Sequence, residues 1–545
     1  MEKSLSKEEL KIAYEYKKLL EENKILKNKL SAEMLQKKTI VTHQENTIRK
    51  EVEIRTKELT DELKNKEKII EDRDKQIEAL KMKIAKMQSI IDNDSTNSGL
   101  PTSKTPVGKK KYIPNTREKT GNHIGAQKGH PKHKLMPFSS EEINEEIEII
   151  PIECKKCHSH NLEQLDTSID KQELDYTVKV IKRNNKFINC KCQDCGNLFH
   201  ADIPNDLKED IQYGKTLQSL CVCLTNEIYT PFNKTVKLIS GITNGEINMS
   251  EGYVTKLQKK ASGKLDNFIK ELKKYIPKQE VYGWDDGVID INGKEGILRT
   301  YCTDNVALFI GHESKNEAGL DDDGILESTG EETIVMHDHI LHNYNDKYKF
   351  ENVECMIHLI RRLKKMKNNT NHDWNDDLIE LLSSTNNDRN KILKNKDNTQ
   401  ENFDNDYLDK LNRRYDEIIN KGKKQNEEPI TKNYFKKEEL NFINDLIKYK
   451  KNYLLWAYDF SLPSTNNNSE RNIRPIKSKL KISGHFQNID YAKYYATIRS
   501  YIETCKKNGI NIIDACVRLL NDEPYSLKDI LNLDDDLNII NTEKE

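Results

Sequence analysis

The stretch that carries Asp285 and Asp338 constrains the fold most, because short apolar runs of strand character follow one another there. The first run contains Asp285 and leads to an Asn-Gly pair at 292–293, which is a hairpin signal. Runs at 296–301 and 307–311 add two antiparallel strands, and a helical stretch then precedes the strand that leads to Asp338. This order predicts an α/β domain with both acids on neighbouring central strands, at or just past the strand ends.

A third carboxylate, Glu470, lies in a segment that is predicted to begin a helix. Residues 466–469 read Asn-Asn-Asn-Ser, and such side chains accept hydrogen bonds from the amides of a first helical turn. Arg471 and Arg474 share one face of this helix, where they can meet phosphate. Three carboxylates, two from strands and one from a helix, suit a two-metal phosphoryl-transfer site. The alternative is a capped surface helix with an ion pair.

Further motifs accompany these acids in one order along nearly the whole chain. They are Gly-Ala-Gln-Lys-Gly-His at 125–130, His-Asp-His at 337–339, Glu-Cys-Met-Ile-His-Leu-Ile-Arg at 354–361, and the segment 459–486, which contains Glu-Arg-Asn-Ile-Arg-Pro-Ile-Lys. In content and order they resemble the signature of insertion sequence 66 family transposases. The resemblance implies a ribonuclease-H-like catalytic core whose acid triad is Asp285, Asp338 and Glu470. It also implies a DDE-type enzyme that cleaves DNA and transfers the strands of an insertion sequence.

The expected chemistry depends on divalent metal ions. Asp285, Asp338 and Glu470 would hold two Mg²⁺ or Mn²⁺ ions, which activate the attacking oxygen and stabilise the leaving one. Four side chains are candidates for contacts with DNA phosphates: Arg471, Arg474, His358 and Lys128. His358 could instead orient a metal ligand, and a packed histidine is the alternative. The expected partners are double-stranded DNA, at element ends and target, and element-encoded accessory proteins.

Two other functions are compatible with the same residues. One is a catalytically inactive DNA-binding derivative of such a transposase, and the other is an assembly protein whose acids are ordinary surface charges. The chain also departs from the family pattern, since Asp-Asp-Gly stands at 285–287 where the family commonly has Asp-Glu-Thr. We therefore expect a lost hydroxyl contact, and we expect Asp286 to be able to compete for the metal.

Residues 1–93 predict a coiled coil that joins chains into a homo-oligomer. Apolar residues recur every seven positions at Leu63, Ile70, Ile77, Ile84 and Ile91. Leu80 and Met87 occupy the second apolar position of the heptad, and the two sets together form the seam. A single charged helix and an internal antiparallel hairpin are the alternatives, because heptads fix neither partner number nor orientation.

Residues 94–140 predict a basic flexible linker. Between 104 and 134 there are nine Lys or Arg residues and one acid, Glu118. Such an arm can neutralise DNA phosphates without reading sequence, although basic loops are often only solvated. The family motif at 125–130 favours a DNA contact that includes Lys128.

Residues 141–203 predict a zinc-binding domain of the ribbon type. Two Cys-x-x-Cys knuckles, separated by a strand-like run at 176–181, supply four ligands for a tetrahedral structural zinc ion: Cys154, Cys157, Cys192 and Cys195. Cys190 is a spare thiol that could substitute for one of them, and His158 and His160 are nearby alternatives. Four unconnected cysteines are the other interpretation. The family resemblance also implies a zinc-binding domain here.

The remaining segments complete a multidomain α/β chain. Residues 204–278 predict a helical region, either a DNA-binding helix-turn-helix in which Ser250 caps the second helix or a plain connector. The catalytic core is predicted at 279–367 and 456–525, interrupted by a helical insertion at 368–455, and residues 526–545 form an acidic tail.

Bulk properties limit the function classes. The chain has 545 residues with 89 Lys and Arg against 90 Asp and Glu, so DNA affinity must come from local basic patches. No apolar run approaches the ~20 residues of a membrane span. Eleven cysteines without a signal peptide favour a reducing compartment and metal or free thiols. We therefore expect a cytoplasmic protein without a membrane partner.

Overall fold

The computed structural model describes most of the chain: residues 7–40, 48–94, 97, 129–130, 135–204, 207, 209–339, 341–395, 399–427 and 434–533. The chain divides into two compact units. One comprises Met1–Arg117 and Ala261–Glu545, and the other is Glu118–Lys260. Lys128 and most of the predicted basic linker lie outside the described residues. In the described part of the chain, no helix is both long and apolar enough to cross a membrane.

The heptad segment forms two helices, α1 (Lys7–Ile40) and α2 (Ile48–Ile91), which contact each other. Arg73 of α2 lies 3.8 Å from Glu22 of α1. With parallel helices this register would separate residues 40 and 48 by about 65 Å along the axis, whereas the intervening chain reaches only about 28 Å. The two helices therefore form an internal antiparallel hairpin. Pairing between chains stays a prediction.

The seam of α2 that the sequence predicts is its least exposed face. Ile77 is buried, and the seam positions on either side are half-buried, whereas Ile91 at the end of the helix is exposed. The heptad pattern thus identifies the packed face, and the helix it packs against in the structure belongs to the same chain.

In the unit Glu118–Lys260, the described residues 135–188 contain no helix or strand. The elements of this unit are β1 (Asn189–Lys191), β2 (Leu198–His200), α3 (Lys215–Asn226), α4 (Phe232–Ile242) and the greater part of α5 (Glu251–Gly263). The strand predicted at 176–181 is wrong, because residues 135–204 contain no buried residue on which a strand could pack. The predicted cap of α5 is confirmed, since the Tyr253 N–H donates to Ser250 Oγ at 3.1 Å.

The other unit contains a five-stranded mixed sheet. Its strands are β3 (Val281–Ile291), β4 (Lys294–Cys302), β5 (Ala307–His312), β6 (Ile334–His337) and β7 (Glu351–Glu354). Helix α6 (Asp266–Tyr275) precedes β3, and helix α7 (Glu317–Asp323) follows β5. The order across the sheet is β5-β4-β3-β6-β7, with β3, β4 and β5 antiparallel and β3, β6 and β7 parallel. The predicted succession of three strands, a helix and a strand is therefore present, and β3 is central.

The turn between β3 and β4 follows from its sequence. Asn292 and Gly293 both have positive φ, at 50° and 81°, as a two-residue hairpin loop of the Asn-Gly type requires. The Gly293 N–H donates to Asp290 Oδ1 at 2.7 Å. This turn fixes the register in which Asp285 lies opposite Thr300.

Helices follow the last strand. They are α8 (Met356–Thr370), α9 (Trp374–Lys394), α10 (Asn405–Glu427), α11 (Lys436–Lys448), α12 (Lys450–Tyr458), α13 (Asn467–Ser483), α14 (Ile489–Lys507), α15 (Ile512–Leu520) and α16 (Leu527–Leu531). One buried cluster joins β6 and β7 to α8–α12, and a second joins β3–β5 to α13 and α14. The helices of the predicted insertion thus share a core with the strand that leads to Asp338.

Candidate active site

Asp285 lies inside β3, not at or just past a strand end as predicted, and the strand presents it towards helix α13. Side chains alternate along a strand, so residues 283, 285 and 287 share one face. A Cβ at Gly283 would lie 2.6 Å from Ser469 Oγ, and a Cβ at Gly287 would lie 3.0 Å from Ile473 Cγ2. The two glycines therefore let α13 approach β3 closely, and Asp285 lies between them on the face that α13 covers.

Register places Asp338 beside Asp285. Gly283 pairs with Met336 in the parallel β3–β6 ladder, so the position two residues beyond Met336 is level with Asp285. Burial, followed by the negative charge of Asp338, raises the pKa of Asp285 to about 8. The two carboxylates therefore interact strongly, and a cation between them would remove the repulsion.

Glu470 lies in the first turn of α13, as predicted, but the predicted side-chain cap is wrong. Asn466 precedes the helix, and its side chain makes no capping hydrogen bond. Its Nδ2 instead donates to the Trp284 carbonyl of β3 at 2.9 Å. The local preference for a cap is overridden because this buried amide connects α13 to the strand that carries Asp285.

His358 of α8 lies between the acids of β6 and α13. Its Nδ1 is 2.7 Å from Asp338 Oδ1, and its Nε2 is 3.7 Å from Glu470 Oε1. Burial disfavours the imidazolium, but the contact with Asp338 outweighs this and raises the pKa of His358 to about 10. His358 therefore links Asp338 and Glu470, which are far apart in sequence.

A family profile described as Transposase IS66 family matches residues 210–494 of the chain. The chain belongs to the IS66 family of transposases. No curated protein matches it. Membership of this family supports a transposase, and hence a protein that acts on DNA. It also suggests the use of a divalent metal ion, and the matched segment contains Asp285, Asp338 and Glu470.

Asp286 of the IS66-family chain does not face the acids, which makes the expected competition for metal wrong. It points to the other side of β3, where Arg299 Nε donates to its Oδ1 at 2.8 Å. Arg299 also bonds to Asp323 at 2.9 Å, and Asp323 accepts from Tyr301 Oη at 2.9 Å. The alternation of a strand puts neighbouring aspartates on opposite faces, so Asp286 belongs to a buried ion network.

Among the predicted phosphate ligands, Arg471 and Arg474 are exposed on α13, and Arg474 Nη2 lies 3.9 Å from Glu470 Oε2. Sequence reasoning did not include Arg361 of α8 in the site. Its Nη1 lies 3.0 Å from His358 Nε2 and 3.5 Å from Glu470 Oε1. The signal that could have found it is the spacing of three from His358, which puts both on one face of a helix.

The four knuckle cysteines of the IS66-family chain form two similar turns. The His158 N–H donates to the Cys154 carbonyl at 2.8 Å, and the Gly196 N–H donates to the Cys192 carbonyl at 2.9 Å. Backbone amides two and three residues ahead lower the pKa of each leading thiol. Throughout the described ranges, however, the one group with three ligand atoms within 4.8 Å of one another is Asp338, Cys355 and His358.

Proposed function

We propose that this chain is a DDE-type transposase that uses Asp285, Asp338 and Glu470 for metal-dependent cleavage and strand transfer of DNA. The observation that carries the proposal is the position of His358, which contacts Asp338 at 2.7 Å and faces Glu470 at 3.7 Å. Asp285 is level with Asp338 in the parallel ladder. Carboxylates from β3, β6 and α13 thus face one region. The strand order β5-β4-β3-β6-β7 supports a ribonuclease-H-like core.

The residues fit a pair of hard divalent cations. Carboxylate oxygens are the ligands that Mg²⁺ prefers, and the mutual repulsion of Asp285 and Asp338 favours a cation between them. When bound, two such ions activate the attacking oxygen and stabilise the leaving one. We assign Asp285, Asp338 and Glu470 as the ligands of Mg²⁺ or Mn²⁺.

The basic side chains near the acids are suited to bind the DNA backbone. Arg474 is 68% exposed, and Arg361 is 27% exposed beside Glu470, so both can reach a bound phosphodiester. A guanidinium presents donors in a fork that matches phosphate oxygens. We assign Arg361, Arg471, Arg474 and His358 to hold the DNA backbone, in double-stranded element ends and target, against the acids.

Cleavage of a labelled duplex that carries the DNA flanking the gene tests the proposal. Wild type should nick it at one position with Mg²⁺ or Mn²⁺, and Asp338→Asn should lose at least about 10³-fold in rate while binding the duplex as before. Asp290→Asn is the matched control, because Asp290 is on β3, the strand that carries Asp285, but is exposed at the hairpin. Equal cleavage by wild type and Asp338→Asn would refute the assignment.

We also propose that Cys154, Cys157, Cys192 and Cys195 bind one structural Zn²⁺ ion. The support is the repeated turn, in which His158 and Gly196, each four residues after the leading cysteine, have positive φ at 58° and 76°. Backbone amides that lower the pKa of Cys154 and Cys192 favour the thiolates that zinc needs. Four thiolates leave no open coordination position, so the role is structural.

A further inference from the structure

The start of α8 brings a thiol and an imidazole to the same carboxylate. Cys355 directly precedes the helix, and His358 lies three residues later on the same face. One ligand atom from each of Asp338, Cys355 and His358 lies within 4.8 Å of the other two. This cluster offers one oxygen, one sulfur and one nitrogen ligand, whereas Asp285 and Glu470 offer only oxygen.

Two ligand atoms of this cluster face each other at close range. Asp338 Oδ1 and His358 Nδ1 are both buried and form an ion pair at 2.7 Å. A cation held by this pair would take the place of the imidazole proton.

Further contacts hold Cys355 and His358 in place. The Asn466 N–H donates to Cys355 Sγ at 3.2 Å. The other ring nitrogen of His358 lies 3.0 Å from Arg361 Nη1 and 3.7 Å from Glu470 Oε1. Partners at the second ring nitrogen commonly orient a metal-binding histidine.

We propose that Asp338, Cys355 and His358 form a site for a thiophilic divalent cation such as Zn²⁺, and that its occupation inhibits DNA cleavage. Sulfur and imidazole ligands select Zn²⁺ over Mg²⁺, which prefers oxygen alone. Because Asp338 belongs to both ligand sets, the thiophilic ion competes with the catalytic ions for it. The inhibition rests on the function proposed above, whereas the binding does not.

Binding is tested without DNA. Full-length protein is first loaded with one equivalent of Zn²⁺ for the knuckles and then titrated with Co²⁺, and the thiolate-to-cobalt charge-transfer band is recorded. Wild type should show the band, Cys355→Ser should lose it, and His358→Gln should need about 10-fold more Co²⁺. An equal band in wild type and Cys355→Ser would overturn the proposal.

The matched control is Cys302→Ser. Cys302 is also buried, and its Sγ contacts α13 through Ser469 Oγ at 3.3 Å, but it is not part of the cluster. It should keep the band. His358→Gln changes a half-buried helix residue and keeps the thiol, so it answers the question even if Cys355→Ser fails to fold.

Inhibition is measured as the Zn²⁺ concentration that halves Mg²⁺-dependent cleavage, relative to the uninhibited rate of each protein. Cys355→Ser should need about 10-fold more Zn²⁺ than wild type, and excess Mg²⁺ should relieve the inhibition of wild type. A band without cleavage in any metal would refute the proposed function and leave the binding site standing. Cleavage without a charge-transfer band would support the proposed function and refute the binding site.

Discussion

The surroundings of Asp338 and of Cys192 differ, although both residues are expected to hold a metal ion. Asp338 follows β6, and β6 and its neighbour β7 contain the fully buried residues Val335 and Val353. Cys192 lies in a segment, residues 135–204, in which every described residue is partly or fully exposed. The carboxylates are therefore positioned by a packed core, whereas the cysteines are positioned only within two local turns.

This difference determines whether each site is ordered before its ion binds. In the sheet unit, burial of side chains such as Val335 contributes about 1.5–3 kcal/mol each, so the acids are placed before any ion binds. Residues 135–204 bury nothing comparable. With the zinc ion proposed above, their order would come from the ion, because metal affinity becomes folding free energy where no core exists.

The largest effect should follow the removal of zinc from the knuckles. A chelator, or Cys192→Ser, should remove about 10 kcal/mol of folding free energy from residues 141–203. Hydrogen exchange followed by mass spectrometry should then rise there and stay unchanged in β3–β7. Cys190→Ser, the neighbouring thiol, should keep one bound zinc. If residues 141–203 of Cys192→Ser kept their protection from hydrogen exchange, they would not depend on zinc, and the contrast with β3–β7 would fail.

A smaller effect is expected in the core of the insertion. Glu439 is buried and accepts hydrogen bonds from Trp374 Nε1 at 2.7 Å and Thr370 Oγ1 at 3.2 Å, with His372 Nδ1 at 2.8 Å. Glu439→Ala leaves these donors unpaired and should lower the free energy of unfolding by about 3–5 kcal/mol in urea titrations.

The control for Glu439→Ala is its neighbour. Glu438 is half exposed, and its contact with Lys86 is 3.6 Å long. Glu438→Ala should change stability by less than about 0.5 kcal/mol. Equal losses in the two variants would mean that the packed unit does not depend on its buried contacts, and the contrast with residues 135–204 would fail.

A third test moves α13 rather than unfolding it. Gly283→Ala places a Cβ 2.6 Å from Ser469 Oγ and 2.8 Å from Asn466 Oδ1, which must displace the start of α13 and Glu470 with it. We expect cleavage to fall about 100-fold, since such reactions tolerate little misplacement. Gly330→Ala, where a Cβ meets nothing within 4 Å, should cleave as wild type does. Equal rates in the two variants would show that α13 is not held against β3.

The succession of strands, and the kind of element that carries each of Asp285, Asp338 and Glu470, could be predicted because they depend on local signals. Apolar runs and the Asn-Gly turn give the strands, and alternation along a strand gives the face. The same alternation, applied to Asp286, would have shown that it points away from its neighbour. Register between β3 and β6 could not be read from the sequence, because no turn joins these strands.

Contacts between distant segments could not be predicted either. The Asn466 side chain was expected to cap its own helix, but the Trp284 carbonyl, 182 positions away, takes its hydrogen bond. The internal pairing of α1 and α2 was left open for a similar reason, since a heptad seam does not name its partner. In both cases local chemistry allows several partners, and only the packed chain selects one.

The smallest effect should be a pH dependence that belongs to the sheet unit alone. Burial and the charge of Asp338 raise the pKa of Asp285 to about 8 in the metal-free protein, whereas an unfolded aspartate has a pKa of about 3.9. The folded state then binds more protons between about pH 4 and pH 8, so this stabilisation is complete at low pH and is lost as pH rises through about 8.

The midpoint of thermal unfolding in EDTA should therefore fall by about 3 °C more between pH 6 and pH 8.5 in wild type than in Asp285→Asn, because asparagine cannot titrate. Asp290→Asn, on the exposed end of the same strand, should keep the wild-type slope. Metal should oppose the effect, since a cation stabilises the charged carboxylate. An identical slope in wild type and Asp285→Asn would mean that Asp285 is solvated, and the sheet unit would then resemble the cysteine segment in needing its ion to form the site.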